Sequence, residues 1–485
     1  MAAGNPPAAG RTALVVGGGI SGLMAARELA RAGLRTTLLE ATDAWGGCVG
    51  RHEVAGLTLD SGAESFATRS SAVAELAAEL GLAENIVGPH PGGAWVQLPD
   101  GPRELPKTGV LGIPANPWDP EVRRSLGLRG SLRASLDKFL PSSVGTTADV
   151  SSVSALVRAR MGRRVLERLV EPVVGGVHSA DPGLLDVDMV APGLRAGIAR
   201  HGSLAAAVAA QRKGSGVQGS GGEGTAAKAG SAVAGLTGGM HTLVAALVAD
   251  LRRRGVELVP GTRADAAART PGGWLIAAHG KTYDADVLVV ALDGPSAVGL
   301  LEDAVPALAG HRPGPGPEVK LVTLVVDLPE LDARPRGTGI LVAPQTAGIR
   351  AKALTHATAK WDWLAAEAGQ GRHVLRLSYG RRDSGGPAGP APAAGPDAAL
   401  RDIALQDASA LLTVPVKAEN LAGWDVVSWA GALPFAAVGH RQRVEDVRRI
   451  CSGSQDLLMV GGWLAGNGLA AVVADTRTQL RAFLQ

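Results

Sequence analysis

A mixed α/β fold that opens on a parallel, doubly wound sheet is predicted by three observations. An apolar strand, Thr12 to Gly17 (TALVVG), runs directly into Gly17-Gly18-Gly19-Ile20-Ser21-Gly22, a G-x-G-x-x-G turn. A helical pattern follows over Gly18 to Ala32, with Leu23, Ala26, Leu29 and Ala30 on one face and Gly33 as its stop. A second strand, Arg35 to Glu40 (RTTLLE), completes a βαβ unit of about 30 residues.

The remaining elements follow along the chain. Residues 1–11 read as a loose tail without a basic segment leading into a long apolar one, so no signal peptide is expected. No run of 18 or more apolar residues occurs, so no transmembrane helix is expected. Residues 114–211 read mainly as helices. The clearest spans Ser151 to Val170, where Val153, Leu156, Val157, Met161, Val165, Leu166 and Leu169 keep helical spacing. Residues 212–235 are Gly/Ser/Ala-rich without periodicity and read as a disordered insert, and residues 383–398 read as a second. Strand candidates are Ala285 to Ala291, Val319 to Asp327, Gly339 to Val342, Ile349 to Leu354 and His373 to Tyr379. Alternation in Val319-Lys320-Leu321-Val322-Thr323 suggests a half-exposed antiparallel sheet. Near the end, a strand at Leu457 to Gly461 meets a second glycine-rich turn and a helix from about Ala471 to Leu484.

Composition excludes several classes. With 46% hydrophobic and 19% charged residues, wholesale disorder is excluded. The net charge of +3 comes from 48 basic and 45 acidic residues without a concentrated stripe, so no nucleic-acid partner is expected. Two cysteines, Cys48 and Cys451, cannot form a disulfide framework or a four-thiolate metal site, which fits a reducing cytoplasm. No Ser/His/Asp set and no His/Cys cluster with metal spacing appears.

The opening turn carries the chemistry. Gly17 permits the tight turn, Gly19 lets the backbone approach a pyrophosphate, and Gly22 lets helix and strand pack closely. The helix N-terminus then offers N–H groups to the phosphates. Glu40 follows Gly22 by 18 residues at the end of the second strand, where it can accept from ribose hydroxyls. An acid there argues against a 2′-phosphate, leaving NAD and FAD. Gly46-Gly47, six residues beyond Glu40, favours FAD by letting the chain turn back over the pyrophosphate. The loop Leu59 to Ser65 is placed to lie close to an isoalloxazine ring.

Together these residues resemble the FAD superfamily of amine oxidases, phytoene desaturases and protoporphyrinogen oxidases. Within it the chain resembles the bacterial oxygen-dependent protoporphyrinogen/coproporphyrinogen oxidases. The similarity is carried by GAESFATR (Gly62 to Arg69), EPVVGGVHSADP (Glu171 to Pro182), GLTGGMHTL (Gly235 to Leu243) and KALTHATAKWDWL (Lys352 to Leu364). It continues through LRLSYGR (Leu375 to Arg381), WAGALPFAAVGH (Trp429 to His440) and GGWLAGNGLA (Gly461 to Ala470). The resemblance implies an interrupted Rossmann-type FAD-binding domain (12–87, 236–297 and 422–485), an antiparallel-sheet substrate domain (88–113 and 298–421) and an inserted helical lobe (114–211). It also implies a six-electron oxidation of a porphyrinogen, with hydride transfer to the flavin N5 in three rounds and molecular oxygen yielding three hydrogen peroxide.

Residue by residue, the resemblance carries cofactor contact to Gly17, Gly18, Gly19, Ile20, Ser21, Gly22 and Glu40. Gly46, Gly47, Cys48, Gly62, Ala63, Glu64 and Ser65 fall where the family's chain meets the flavin. Ala264 falls where the family usually has a valine whose backbone meets adenine. Asn467, Gly468 and Leu469 match a C-terminal flavin loop, and Trp429 lines the flavin or substrate space. Cys48 is expected as a small buried filler with no redox role. A porphyrinogen carries propionates on an apolar disc, so cations are sought at the pocket rim. Arg69 is the first candidate, followed by Lys107, Lys352 and Arg376; His178 and His440 are candidates to touch substrate. No catalytic base is assigned.

Ala, Gly and Arg abundance with little Lys, Phe, Tyr or Ile points to a GC-rich, Gram-positive source, in which such enzymes act on coproporphyrinogen III. Coproporphyrinogen III is therefore the preferred substrate, with protoporphyrinogen IX as alternative. Amine or carotenoid oxidation is a further alternative. With only two tyrosines, Tyr283 and Tyr379, an amine oxidase's aromatic pair would rest on Trp or Phe. A flavin-binding activator of ferrochelatase is the non-catalytic alternative, and handover of the porphyrin to ferrochelatase is the expected protein contact. Arg158, Arg160, Arg163, Arg164 and Arg168 beside apolar residues offer either a weak membrane-facing surface or, preferentially, a solvated basic face. No oligomeric state is read from the sequence.

Overall fold

The computed structural model describes residues 10–106, 110–147, 150–214, 233–380, 397–431 and 436–485. Five strands form a parallel sheet in the order Glu257–Val259, Arg35–Leu39, Thr12–Val16, Val287–Val290 and Leu457–Met459. The central strands are buried along nearly their whole length, as continuous apolar runs in a doubly covered parallel sheet must be. One face is covered by helix Ile20–Arg31, which packs between His241–Arg253 and Leu469–Phe483. Leu23, Met24 and Leu29 meet Leu243, Leu247 and Val473 in that core. The other face is covered by a three-stranded antiparallel sheet (Ala264–Thr270, Gly273–Ala278 and Lys281–Ala285) with helices Gly294–Leu301 and His440–Ser452.

A second sheet has seven strands in the order Leu421–Trp429, Val319–Asp327, Arg372–Tyr379, Ala353–His356, Gly339–Val342, Trp95–Leu98 and Gly101–Glu104. All pairings are antiparallel except Gly339–Val342 with Trp95–Leu98. Helix Asp397–Leu412 covers it through Leu400, Ala404, Ala408 and Leu411. The strand expected at Ile349 to Leu354 is shifted to Ala353–His356, because the amides of Arg350 and Ala351 are held instead by the Asp407 carboxylate. Trp429 pairs with Val319, so the expected boundary at residue 422 falls within a strand of this sheet.

The inserted helices bury a third core of Val153, Leu156, Val165, Leu169, Leu194 and Leu204. Here the single helix expected over Ser151 to Val170 is broken. Helix Val153–Met161 stops at Gly162, whose φ of +90° ends it, and the chain resumes through Arg163–Val165 and a π-helical turn, Leu166–Val170. The basic face expected there is divided: Arg158, Arg163 and Arg164 are exposed, while Arg160 is buried and Arg168 half-buried. Arg160 is fully buried, with Nε 2.5 Å from Asp137 Oδ1 and further bonds to the carbonyls of Pro141, Val144 and Gly202. Arg164 donates to the Leu126 carbonyl and Arg168 to the Asp100 carboxylate at 2.7 and 2.8 Å. Most of the insert expected at 212–235 lies outside the described residues, but Val233–Leu236 is a strand paired with Phe66–Ala67. Residues 383–396 of the second insert also lie outside them, while Asp397 already begins a helix.

Candidate active site

The predicted glycine turn lies at the C-terminal edge of the parallel sheet. Gly17 has φ +105°, and a Cβ there would meet the Ala291 carbonyl oxygen at 2.6 Å. A Cβ on Gly22 would lie 1.7 Å from the Gly17 oxygen, so the helix can pack on the turn only without one. Gly19 differs: a Cβ there would meet no protein atom within 4 Å. The helix it opens has no side-chain cap and no acid in its first turn. Open space, an uncapped helix N-terminus and a glycine facing them form a cradle suited to an anionic group.

Glu40 stands beside this cradle. Its Oε2 accepts from the Gly18 amide at 2.7 Å, and its Oε1 accepts from the Thr42 amide and hydroxyl, both at 2.8 Å. Thr262 donates its amide to the Glu40 carbonyl at 2.7 Å, bringing the chain that enters Ala264 alongside. Gly46 donates its amide to the Gly18 carbonyl at 2.8 Å, while Gly46 and Gly47 both hold positive φ. The Trp45 ring lies where a Gly18 side chain would go. Cys48, expected as a buried filler, is exposed; its carbonyl accepts the Ala63 amide at 2.8 Å and lies against Gly62, where a Cβ would come within 2.0 Å. These contacts draw residues 46–48 and 62–63 together.

The next residue, Glu64, anchors an ion triad that joins this loop to the antiparallel sheet. Its carboxylate takes Lys360 Nζ at 2.6 Å and an Arg376 guanidinium nitrogen at 2.8 Å; Arg376 also donates to the Gly62 carbonyl at 2.7 Å. Burial alone would raise the Glu64 pKa, but the two cations hold it at about 2. Arg376 is thus not an open rim cation: it is 8% exposed and committed to the loop. Lys352, expected at the rim, is 3% exposed and donates to the Ser179 hydroxyl, tying the sheet to the helical lobe. Arg69 is exposed at the end of the Gly62 to Arg69 segment, close along the chain to the triad. Lys107 lies outside the described residues. Trp429 donates its indole N–H to the Ser61 carbonyl at 2.8 Å, and so packs beside the same loop. Ser65 and Ser21 are at most partly exposed there.

The C-terminal turn meets the helical lobe. Asn467 Nδ2 donates to His178 Nδ1 at 2.7 Å, uniting two residues predicted for different roles. Accepting there puts the imidazole's proton on Nε2. Burial pushes His178 down to about 4, so the ring is neutral at physiological pH. His440 binds the Trp463 carbonyl through Nε2 at 2.6 Å and lines the same small cavity of about 60 Å³. Gly468 has φ +100°, a Cβ on it would meet nothing within 4 Å, and helix Leu469–Phe483 starts there without a side-chain cap.

Two participants escaped the sequence reading. Lys360 lies in the ATAKWDW stretch, where a lone lysine among buried residues (its Nζ is 4.9 Å from the Trp361 ring centre) is the available signal. Asp60 accepts from the amides of Met240 (2.9 Å) and His241 (3.0 Å), closing the N-terminus of helix His241–Arg253 across 180 residues; no local pattern announces that contact.

The chain is similar to known proteins along nearly its whole length. A family profile described as flavin containing amine oxidoreductase matches residues 20–446. A Bacillus subtilis (strain 168) protein named coproporphyrinogen III oxidase is 28% identical over 483 residues, covering 96% of this chain and 98% of that protein. A Mycobacterium leprae (strain TN) protein of the same name is 29% identical over 478 residues, covering 97% and 98%. Among solved structures, one from Exiguobacterium sp. 255-15, provisionally assigned as a protoporphyrinogen oxidase, has a TM-score of 0.79 at 24% identity and covers 98% of this chain and 99% of that one. Cyclohexylamine oxidase from Brevibacterium oxydans IH-35A has a TM-score of 0.66 at 15% identity, covering 98% of each chain. The structural likenesses establish the fold.

Proposed function

The chain belongs to the flavin-containing amine oxidoreductase family, and on that premise we propose that it oxidises coproporphyrinogen III to coproporphyrin III with oxygen as acceptor. It is an FAD-dependent oxidoreductase. Its residues fit that cofactor: two uncapped helix N-termini meet glycines, Gly19 and Gly468, that face open space. Bound FAD supplies the hydride acceptance and reoxidation by oxygen that no side chain provides. Gly17 to Gly22 and Asn467 to Leu469 would receive its polar groups through backbone N–H donors. Glu40 retains acceptor capacity for ribose hydroxyls, beside Ala264. Gly46 to Cys48 and Gly62 to Ser65 would flank the ring, held in place by the Glu64 triad.

The observation that carries the substrate is similarity along nearly the whole chain to proteins named coproporphyrinogen III oxidase. Arg69 is the exposed cation that we assign to a propionate, with Trp429 on the apolar wall. Protoporphyrinogen IX is the second reading, favoured by a chloroplastic/mitochondrial protoporphyrinogen oxidase of Arabidopsis thaliana that is 30% identical over 190 residues. Amine oxidation is disfavoured because Tyr379 is buried and donates to Asp407, while Tyr283 belongs to the small antiparallel sheet. Anaerobic mixing with coproporphyrinogen III should bleach the flavin spectrum, and side-by-side turnover should favour this substrate over protoporphyrinogen IX. Faster turnover of protoporphyrinogen IX would overturn the substrate, and a protein purified without flavin would overturn the whole reading.

Among the described residues no helix is long and apolar enough to cross a membrane. Peripheral contact has a different basis from the arginine face expected from sequence. Trp118, Leu128, Leu132, Leu136 and Phe139 are exposed on one stretch of the helical lobe beside Arg123, Arg124, Arg129 and Lys138, which are also exposed. Co-sedimentation with phosphatidylglycerol vesicles tests that contact, and protein left wholly in the supernatant would remove it. Handover of the porphyrin to ferrochelatase would be tested by mixing the two proteins and following metal insertion.

A further inference from the structure

The cofactor turn occupies one edge of the parallel sheet; a cavity of about 670 Å³ occupies the other. It is lined where Arg11 leads into Thr12–Val16, where Leu34 precedes Arg35–Leu39, and where Val287 and Leu457 begin their strands. Helix His440–Ser452 and the last turn of helix Leu469–Phe483 wall it in, over the strand Leu457–Met459 that ends the sheet. None of the described residues assigned above to cofactor or substrate lines it.

Its size lies within the range of small-molecule sites, and its lining is divided between apolar and polar groups. Leu34, Leu464 and Phe483 supply apolar surface. Arg11 and Arg448 supply charge, and among the described residues no Asp or Glu side chain lines the space. Arg448 is held by Asp475 at 2.6 Å and by the Leu464 carbonyl at 3.4 Å, which fix its guanidinium at the cavity wall. A guanidinium fixed in place at the wall, with Arg11 as a second cation on the same lining, is suited to an anionic head.

We propose that this cavity binds an amphipathic carboxylate of the fatty-acid type, its head against Arg448 and Arg11 and its chain along Leu34, Leu464 and Phe483. Such a ligand would join both terminal helices to the sheet and stabilise the fold by mass action. The test uses the FAD-loaded full chain titrated with dansyl-undecanoate, followed by dansyl fluorescence. Saturation at one equivalent is expected, with displacement by dodecanoate and about tenfold weaker displacement by dodecanol. Ala482 is exposed at the cavity, so Ala482→Trp should weaken the probe at least tenfold without changing the flavin spectrum. Arg448→Gln, and Arg11→Gln should that variant fail to fold, should weaken dodecanoate but not dodecanol. Absence of saturable binding would overturn the proposal, as would undiminished binding in Ala482→Trp. Equal displacement by dodecanol and dodecanoate would overturn the anionic head.

Discussion

Three helices on one face of the parallel sheet begin at the same edge, and they begin differently. The N-terminus of His241–Arg253 is closed by the Asp60 carboxylate, which accepts two backbone amides. Those of Ile20–Arg31 and Leu469–Phe483 have neither a side-chain cap nor an acid in the first turn. Each N-terminus carries the same partial positive charge and the same unpaired donors. The chain therefore supplies its own anion where only the fold is served, and leaves two ends for the charge of a ligand. The glycines repeat the contrast: a Cβ on Gly22 would strike backbone, whereas on Gly19 or Gly468 it would enter open space.

Gly22→Ala should have the largest effect. The added methyl would sit 1.7 Å from the Gly17 oxygen with the Ala291 Cβ at 3.3 Å, and neither a backbone carbonyl nor a lone methyl is flexible enough to yield. We expect a loss of about 4 kcal/mol or more in stability and a protein purified without flavin, read from denaturant unfolding and visible absorbance. Full flavin occupancy in this variant would break the distinction between packing glycines and ligand glycines.

That turn was legible because its parts are neighbours in sequence: strand, turn, helix and Glu40 lie within 29 residues. The ion triad was not, since Glu64 meets Lys360 and Arg376 across about 300 residues of chain. Charge and place in family motifs are all that the sequence offers for picking rim cations. Sequence could not say that Arg376 and Lys352 would be buried against Glu64 and Ser179. Likewise Arg160, Arg164 and Arg168 have helical spacing, but their partners Asp137, Leu126 and Asp100 come from elsewhere in the chain. Strand existence was read well from apolar runs; the displaced strand near Ala353 depended on a remote Asp407.

The second open N-terminus is reached through His178, and acid should expose that dependence. Burial holds the folded imidazole near 4, against an ordinary histidine value of 6.5, so the unfolded chain binds the proton first as pH falls. Stability attributable to a neutral His178 is thus complete above about pH 6.5 and declines through pH 4, by about 2 kcal/mol at pH 5 and about 3 kcal/mol at pH 4. His178→Gln keeps an acceptor for Asn467 and removes the titration. Its unfolding free energy should fall less between pH 7 and 5 than that of the parent, whose slope retains His356, His373 and His440, all also held down by burial. Identical slopes would show that His178 takes no part.

Asp60→Asn addresses the closed end. The amide keeps the shape but loses the charge at a helix N-terminus and its pairing with His241, 2.9 Å away. We expect destabilisation of about 1–2 kcal/mol by denaturant titration, with flavin affinity unchanged. A drop in flavin affinity larger than the drop in stability would mean that the closed end also serves the ligand.

Gly19→Ala is the smallest change and the sharpest. Gly19 has φ −68° and ψ 177°, which alanine adopts without strain, and its Cβ would touch no protein atom. If the space before it serves only the fold, the variant is silent. If a diphosphate lies there, the methyl intrudes on the ligand alone. Unfolding of the flavin-free protein should then stay within about 0.5 kcal/mol of the parent, while FAD affinity, measured by flavin fluorescence quenching, weakens about tenfold, or about 1.4 kcal/mol. Gly22→Ala and Gly19→Ala place the same methyl three residues apart, so a split between lost fold and lost ligand would separate the two reasons for glycine within one motif.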